Sequence, residues 1–482
     1  MLRVWEQVNK SPNTTEPAES SLPHNEAFCD FTVMSYNILA QDLLEAHQEL
    51  YSYCSQEVLE WSYRCHLLIE EILKWRPDIL CLQEVQENHY EEHLHPVLYH
   101  MGYTCVYKRR TGTKTDGCAT CYRGNHFSEL SVSLLEFHRP ETGLLDRDNV
   151  GIVLLLQPLV NSGSEAKAKG PPLCVANTHL LFNPKRVDIK LAQLAIVLAD
   201  INKVVKSCKD KGDHCNVILC GDFNSNPYVP LYQLITTGQL FYQGLPAWMT
   251  SGQWNPSHKS HHHRLFASLS SLGISDNCQY ITREQKFESK SQNTGKLKYN
   301  HDFLLQLQFC PAACVRPLDL ELIPGVTDNT PDASRENQPY TRGFTISHGL
   351  NLRSAYKHIL SSSGHSEVTT LHSEGAATTD YIFYTPNDGG CLPSEGLKLT
   401  HCLSLLSEEE LWSMKGLPNE IFPSDHLSLL AEFQLDLRPH DVKNYGEGDL
   451  RATVIAGQGQ CHLNRNVHPL SRAVASPWFM KR

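Results

Sequence analysis

The chain has 482 residues, 41% of them hydrophobic, which is enough apolar material for a sizeable core and excludes a wholly disordered protein. Its 42 Lys and Arg against 53 Asp and Glu leave a formal net charge of −11; nucleic-acid binding through bulk positive charge is thereby excluded, and any polyanion must be met locally. The 17 cysteines follow an N-terminus, Met1-Leu2-Arg3-Val4-Trp5-Glu6, that lacks the apolar core of a secretion signal. Free thiols are therefore expected, in a soluble protein of the cytoplasm with nuclear access left open.

In chain order, residues 1–27 are polar and read as a disordered lead-in. Strand-like apolar runs then alternate with amphipathic stretches: a strand at 31–38, a helix at 59–75, and strands at 78–83, 104–108 and 150–156. A strand at 173–177, a helix at 187–205 and a strand at 217–220 follow. The run at 150–156 is the longest apolar stretch and is far too short to cross a bilayer, so no membrane contact is expected. Periodicity fails over 253–348 apart from 302–309 and 318–323, which reads as an irregular insertion carrying a small hairpin. Strands return at 379–384 and 428–435, and the tail over 438–482 is polar and Gly-rich. The alternation predicts a layered α/β architecture, one catalytic domain over 28–437 and no internal repeat.

Short polar signatures stand at the ends of these strands, where α/β folds place their sites: Ser35-Tyr36-Asn37, Leu82-Gln83-Glu84-Val85, Asn177-Thr178-His179, Gly221-Asp222-Phe223-Asn224, Asp380-Tyr381 and Ser424-Asp425-His426. One alone is a weak signal; six in order are specific. Together they hold what phosphoester hydrolysis requires, namely a cation site, a base for water, and donors for the transition-state oxygens. Glu84, with Asn37 beside it, suits Mg²⁺, which takes one or two carboxylates and keeps several waters. Asp222 is placed to hold the attacking water, Asn224 and His179 to donate to phosphoryl oxygens, and His426 to present a charged imidazole oriented by Asp380.

These residues resemble the endonuclease/exonuclease/phosphatase superfamily, specifically its Angel and nocturnin-like deadenylase branch, over about residues 31–435. Residues 108–119, 146–151 and 403–419 are most similar to the Angel proteins. The resemblance implies a four-layer α/β sandwich of two packed mixed β-sheets flanked by helices, Mg²⁺ as cofactor with Mn²⁺ as a substitute, and RNA 3′ ends as substrate and partner; a monomer is expected. Angel-type proteins are associated with removal of 2′,3′-cyclic phosphates and their relatives with poly(A) shortening. By motif, Asn37 and Glu84 fall at the metal site; Asp222 and Asn224 at the base and phosphate positions; Asp380 and His426 on the orienting pair; His179 and Asn149 at the phosphate; Asp425 is taken as a further candidate metal ligand. One departure is Val187, where Angel relatives carry Gly; a β-branched residue resists positive φ, so the loop backbone at 183–188 is expected to differ.

Simpler readings stand beside these. Asn37 and Asn149 could each only close a strand through an Asx turn. Arg109 and Arg110, with Lys108 and Lys114, either track an RNA backbone or form a solvated basic loop; Lys185 and Arg186, close after the His179 strand, favour phosphate contact. Cys118-Ala119-Thr120-Cys121 has the spacing of a metal knuckle but no second pair, so buried strand cysteines are expected. His258 and His261 to His263 lie in the irregular insertion, where no physiological metal is expected. Three functions remain distinct at this level: a 2′,3′-cyclic phosphatase, a poly(A)-specific 3′ exoribonuclease, and a non-catalytic RNA- or protein-binding member of the fold.

Overall fold

The computed structural model describes residues 3–8, 28–139, 145–162, 165–168, 170–183, 186–227, 230–241, 345–360, 364–387 and 396–438. Two mixed sheets form its centre. The first has the order β1 (Trp5–Gln7), β17 (Lys398–Leu403), β18 (Leu429–Asp436), β2 (Phe28–Asn37), β3 (Ile79–Gln86), β5 (Asp116–Arg123) and β4 (Tyr103–Arg109). The second runs β13 (Arg353–Ser354), β16 (Asp380–Tyr384), β10 (Asn216–Asp222), β9 (Leu173–His179), β7 (Val150–Ser162) and β6 (Phe127–Glu136), with β8 (Glu165–Ala168) beside β7. Two small ribbons, β11 (Gln239–Phe241) with β12 (Thr345–Ser347) and β14 (Thr370–His372) with β15 (Gly375–Ala377), lie off these sheets.

The four layers follow from strands that are apolar on both faces, as sheets covered on both sides must be. In β10, Ile218 and Cys220 join the core between the sheets, together with Phe31, Val33, Ile79, Val175 and Ile382. The intervening Val217 and Leu219 turn outward beneath α2 (Val187–Asp210), which contributes Ile189, Leu194, Val197 and Ile201. On the opposite flank α1 (Trp61–Trp75) lays Cys65, Leu68 and Ile72 on Met34, Tyr36, Leu80 and Leu82. It stops where Arg76 turns left-handed at φ 44°.

Asn177 ties the sheets together at their centre: its amide donates to the Leu82 and Ala119 carbonyls and to Thr120 Oγ1, at 3.1, 2.9 and 3.2 Å, and its oxygen accepts from Gln83 Nε2 at 2.8 Å. Gly221 has φ 150°, and a Cβ there would stand 2.0 Å from the Thr178 carbonyl oxygen, so only glycine lets β9 and β10 approach this closely beside Asp222.

Several expectations are corrected. The polar lead-in contains order: β1 pairs with the edge of β17, and Arg3 donates to the carbonyls of Ser404 and Ser428 at 2.8 and 2.6 Å. Pairing with an open sheet edge is a tertiary event that composition does not reveal. β6 and β17 were not anticipated, and the helix expected to end at 205 continues to Asp210. Cys118 and Cys121 are buried on β5 as expected, but Cys121 is not a free thiol. Register places Cys105 of β4 directly opposite it, and the two form a disulfide. Most of the 253–348 insertion, including its expected hairpin, His258 and His261 to His263, lies outside the described residues. Among those residues, no helix is long and apolar enough to cross a membrane.

Candidate active site

Parallel pairing of β2 with β3, and of β9 with β10, brings four strand ends to one edge of the sandwich. Asn37 ends β2, His179 ends β9 and Asp222 ends β10, while antiparallel register sets Asp380 of β16 directly opposite Asp222. Glu84 stands in a β-bulge where the ladder between β3 and β5 slips, its backbone left-handed at φ 54°. Bulges redirect side chains, and this one turns the carboxylate into the cleft. Asp425 and His426 arrive on a loop held against β14, through Leu371 N–H donating to Asp425 O at 2.9 Å and Leu427 N–H to Thr369 O at 2.8 Å. The wholly buried Arg64 joins that loop to the end of β2, donating to the carbonyls of Ile38 and Leu39 on one side and Pro423 on the other.

Within the cleft Asn37 Nδ2 donates to Glu84 Oε1 and to Asp222 Oδ2, both at 3.0 Å, and its oxygen accepts from Leu39 N–H at 3.1 Å. Asp222 Oδ1 accepts from the Asn224 N–H at 2.8 Å; Asn224 is itself left-handed at φ 48° and sends Nδ2 to His179 Nε2 and to the Leu180 carbonyl, both at 3.0 Å. His426 Nδ1 meets Asp380 Oδ2 at 2.8 Å, which leaves Nε2 facing Asp222 at 3.8 Å.

Electrostatics set the two histidines apart. Burial opposes protonation of His426, but the carboxylates of Asp380, Asp425 and Asp222 outweigh it and hold the imidazole well above its usual range. His179 is driven well below its own by burial, then by the positive charges of Arg110, His426 and Lys190. One imidazolium and one neutral imidazole therefore face the same carboxylate. Burial, and behind it Asp425 and Asp116, pushes Glu84 up to about 8; burial and Asp380 push Asp222 up to about 7. A bound cation would relieve crowded carboxylates of this kind. Ligand atoms of Glu84, Asp222 and His179 lie within 4.8 Å of one another, as do those of Asp222, Asp380 and His426. The hard carboxylate oxygens fit Mg²⁺ or Mn²⁺.

A family model described as the Endonuclease/Exonuclease/phosphatase family matches residues 34–426. Protein angel homolog 1 from Rattus norvegicus is 48% identical over 90% of this chain and 67% of its own length, and Protein angel homolog 2 from Homo sapiens is 44% identical over 85% and 70%. The chain belongs to the Angel branch of the endonuclease/exonuclease/phosphatase family. The crystal structure of ANGEL2, a 2′,3′-cyclic phosphatase, in complex with adenosine-2′,3′-vanadate superposes with a TM-score of 0.64 at 40% identity, covering 91% of this chain and 99% of that one.

In this Angel-family chain Asn37, Glu84, His179, Asp222, Asn224, Asp380 and His426 converge in one cleft, whereas other expected residues are placed differently. Asn37 turns its nitrogen, not its oxygen, towards the carboxylates, while the oxygen closes the Asx turn; as a metal ligand it would need its amide turned over. Asp425 stands outside both ligand groups, accepting from the Tyr51 hydroxyl at 2.8 Å and lying 3.9 Å from His426 Nε2. Asn149 is committed to the frame: it donates to the His179 carbonyl and accepts from Gln193 Nε2, both at 3.1 Å. Arg110 sits at the rim, paired with the buried Asp116 at 3.2 Å, and Arg109 turns away to Glu87 at 3.4 Å and to the Lys114 carbonyl. Arg186 is the half-buried N-cap of α2, and Lys185 lies outside the described residues.

Lys190, Gln193, Tyr51, Asp116 and Arg64 were missed. Each is a polar residue within or beside an ordinary amphipathic segment and gives no local signal. Only a pairing across the fold distinguishes it from a solvated side chain.

Proposed function

We propose that this chain hydrolyses 2′,3′-cyclic phosphates at RNA 3′ ends, with a divalent cation, Mg²⁺, as cofactor. The observation that carries the reading is the opposition of a charged His426, held by Asp380, and a neutral His179 across the ionisable Asp222, in the same cleft as Glu84. Likeness to the cyclic phosphatase ANGEL2 over 91% of the chain supports the choice of substrate.

A five-membered cyclic phosphate is a strained diester carrying one negative charge. Glu84, Asp222 and His179 would hold the cation, which supplies charge neutralisation at the phosphoryl oxygens. Asp222 takes a proton from water as the water oxygen attacks phosphorus; its second oxygen is fixed by the Asn224 N–H. His426 faces the phosphoryl group with Nε2–H, and the Asn224 amide hydrogen that meets His179 Nε2 would be released to it once that nitrogen holds the cation. The bond between one ribose oxygen and phosphorus breaks, the departing oxygen takes the Nε2 proton of His426, the proton held by Asp222 restores the ring, and a monoester remains beside a free hydroxyl. Arg110 at the rim offers a further contact to the RNA backbone.

The test compares the purified protein, with Mg²⁺, on RNAs ending in a 2′,3′-cyclic phosphate, a 3′-phosphate and a 3′-hydroxyl poly(A) tract. Conversion of the cyclic end with the poly(A) tract intact is expected. Shortening of poly(A) with the cyclic end untouched would establish an exoribonuclease instead, and inactivity on all three would favour a binding protein.

A further inference from the structure

We propose that Lys190 is a positioning residue for the phosphoester reaction, its ammonium holding the Asn224 carbonyl and with it the left-handed turn that sets both Asn224 and Asp222 in the cleft. The proposal rests on the reading of the site given above.

Lys190 occupies a place that ordinary physics disfavours. It lies in the first turn of α2, where the helix dipole repels a cation, and only 1% of it is exposed. Stripping water from an ammonium costs several kcal/mol unless partners replace it. Burial accordingly lowers its amine to about 7, against the opposing pull of Asp222. The partner it finds is the main-chain oxygen of Asn224, to which Nζ donates.

Asn224 is the residue on which the site's geometry turns. Its φ of 48° is a conformation that a residue with a Cβ adopts at a cost of order 1–3 kcal/mol. Its N–H fixes Asp222 Oδ1 at 2.8 Å and its side-chain nitrogen meets His179 Nε2 and the Leu180 carbonyl at 3.0 Å. The carbonyl bond from Lys190 closes this arrangement from behind. One turn further along the same face, Gln193 accepts from Leu181 N–H at 2.9 Å and donates to Asn149, which in turn holds the His179 carbonyl. The inner face of α2 thus braces both the His179 strand and the Asp222 turn, with Lys190 meeting that turn through the Asn224 main-chain oxygen.

Removing the Lys190 donor relaxes the turn without altering any group that meets substrate. Small displacements of a catalytic base are costly, on the order of 10²-fold for 1 Å. The experiment is a double-mutant cycle with Lys190→Met, Asn224→Ala and the two combined, read as kcat and KM on the cyclic-phosphate RNA, as thermal midpoint, and as inorganic phosphate binding by calorimetry. Lys190→Met is expected to lower kcat about 10- to 100-fold with KM within about threefold. Its thermal midpoint should change little, because relief of the buried amine offsets the loss of the donor to the Asn224 carbonyl. In the Asn224→Ala background the main-chain carbonyl and N–H remain but the side-chain contacts to His179 and Leu180 are gone, so that share of the Lys190 effect disappears and the two losses should combine to clearly less than their product. Loss of activity only in step with loss of folded protein, or losses that multiply in the double variant, would overturn the proposal. An inactive wild type would defeat the functional reading alone: the cycle is then decided by phosphate binding, where coupling supports the role of Lys190 and additivity refutes it.

Discussion

Cation binding to this site should compete with protons, and the extent follows from two carboxyls. Glu84, pushed up to about 8, and Asp222, pushed up to about 7, hold protons in the metal-free protein through the neutral range. At pH 8 they are roughly half and nine-tenths ionised; at pH 6 only about 1 in 100 and 1 in 10 are. A cation that needs both ionised finds roughly half of the molecules ready at pH 8 and about 1 in 1,000 at pH 6, a loss of about 500-fold, or close to 4 kcal/mol. The sign is that of acids raised on folding: affinity climbs with pH and flattens above 8. Without metal, the stability these groups contribute is full below their unfolded values near 4 and fades as pH rises through 7 to 8. Calorimetric titration of Mn²⁺ or Mg²⁺ in buffers of different ionisation enthalpy gives both affinity and protons released, expected to be about two per ion at pH 6 and fewer than one at pH 8. Glu84→Gln should remove one of them. An affinity constant within threefold between pH 6 and 8, with no proton release, would show that Glu84 and Asp222 do not share the cation.

Three structural variants extend the test. Asp380→Asn removes the 2.8 Å partner of His426 Nδ1 and the first of the charges that keep the ring protonated; kcat should fall by about 10²- to 10⁴-fold with the folded state intact by circular dichroism, and near-wild-type turnover would dismiss the orienting role. Asn177→Leu, similar in shape, deletes four hydrogen bonds between the sheets and should cost on the order of 3 kcal/mol in a denaturant titration; a change below about 1 kcal/mol would deny Asn177 its bridging role. Gly221→Ala drives a methyl to 2.0 Å from the Thr178 carbonyl and should separate β9 from β10, abolishing activity and lowering the thermal midpoint; an active, equally stable variant would contradict the register described.

The parts of this protein legible in its sequence are those governed by short range. Apolar runs such as Val150 to Leu156 must be buried wherever they lie, and a polar residue that ends such a run must emerge at a sheet edge, which is why Asn37, His179 and Asp222 could be named before any contact was known. Glu84 was named with them from the run Leu82-Gln83-Glu84-Val85, although no local preference announces its position on a bulge. Tertiary structure alone decided which of these side chains touch and what charge they carry. Asn37 points its nitrogen at two carboxylates, Asn149 braces the His179 strand, Asp425 answers to Tyr51, and Lys190 is sealed behind Asn224. Each outcome depends on partners 30 to nearly 400 positions away or on the exclusion of water, and neither leaves a trace in neighbouring residues. The same holds for the two histidines: identical in chemistry, they are separated into acid and neutral forms only by which charges the fold gathers around them.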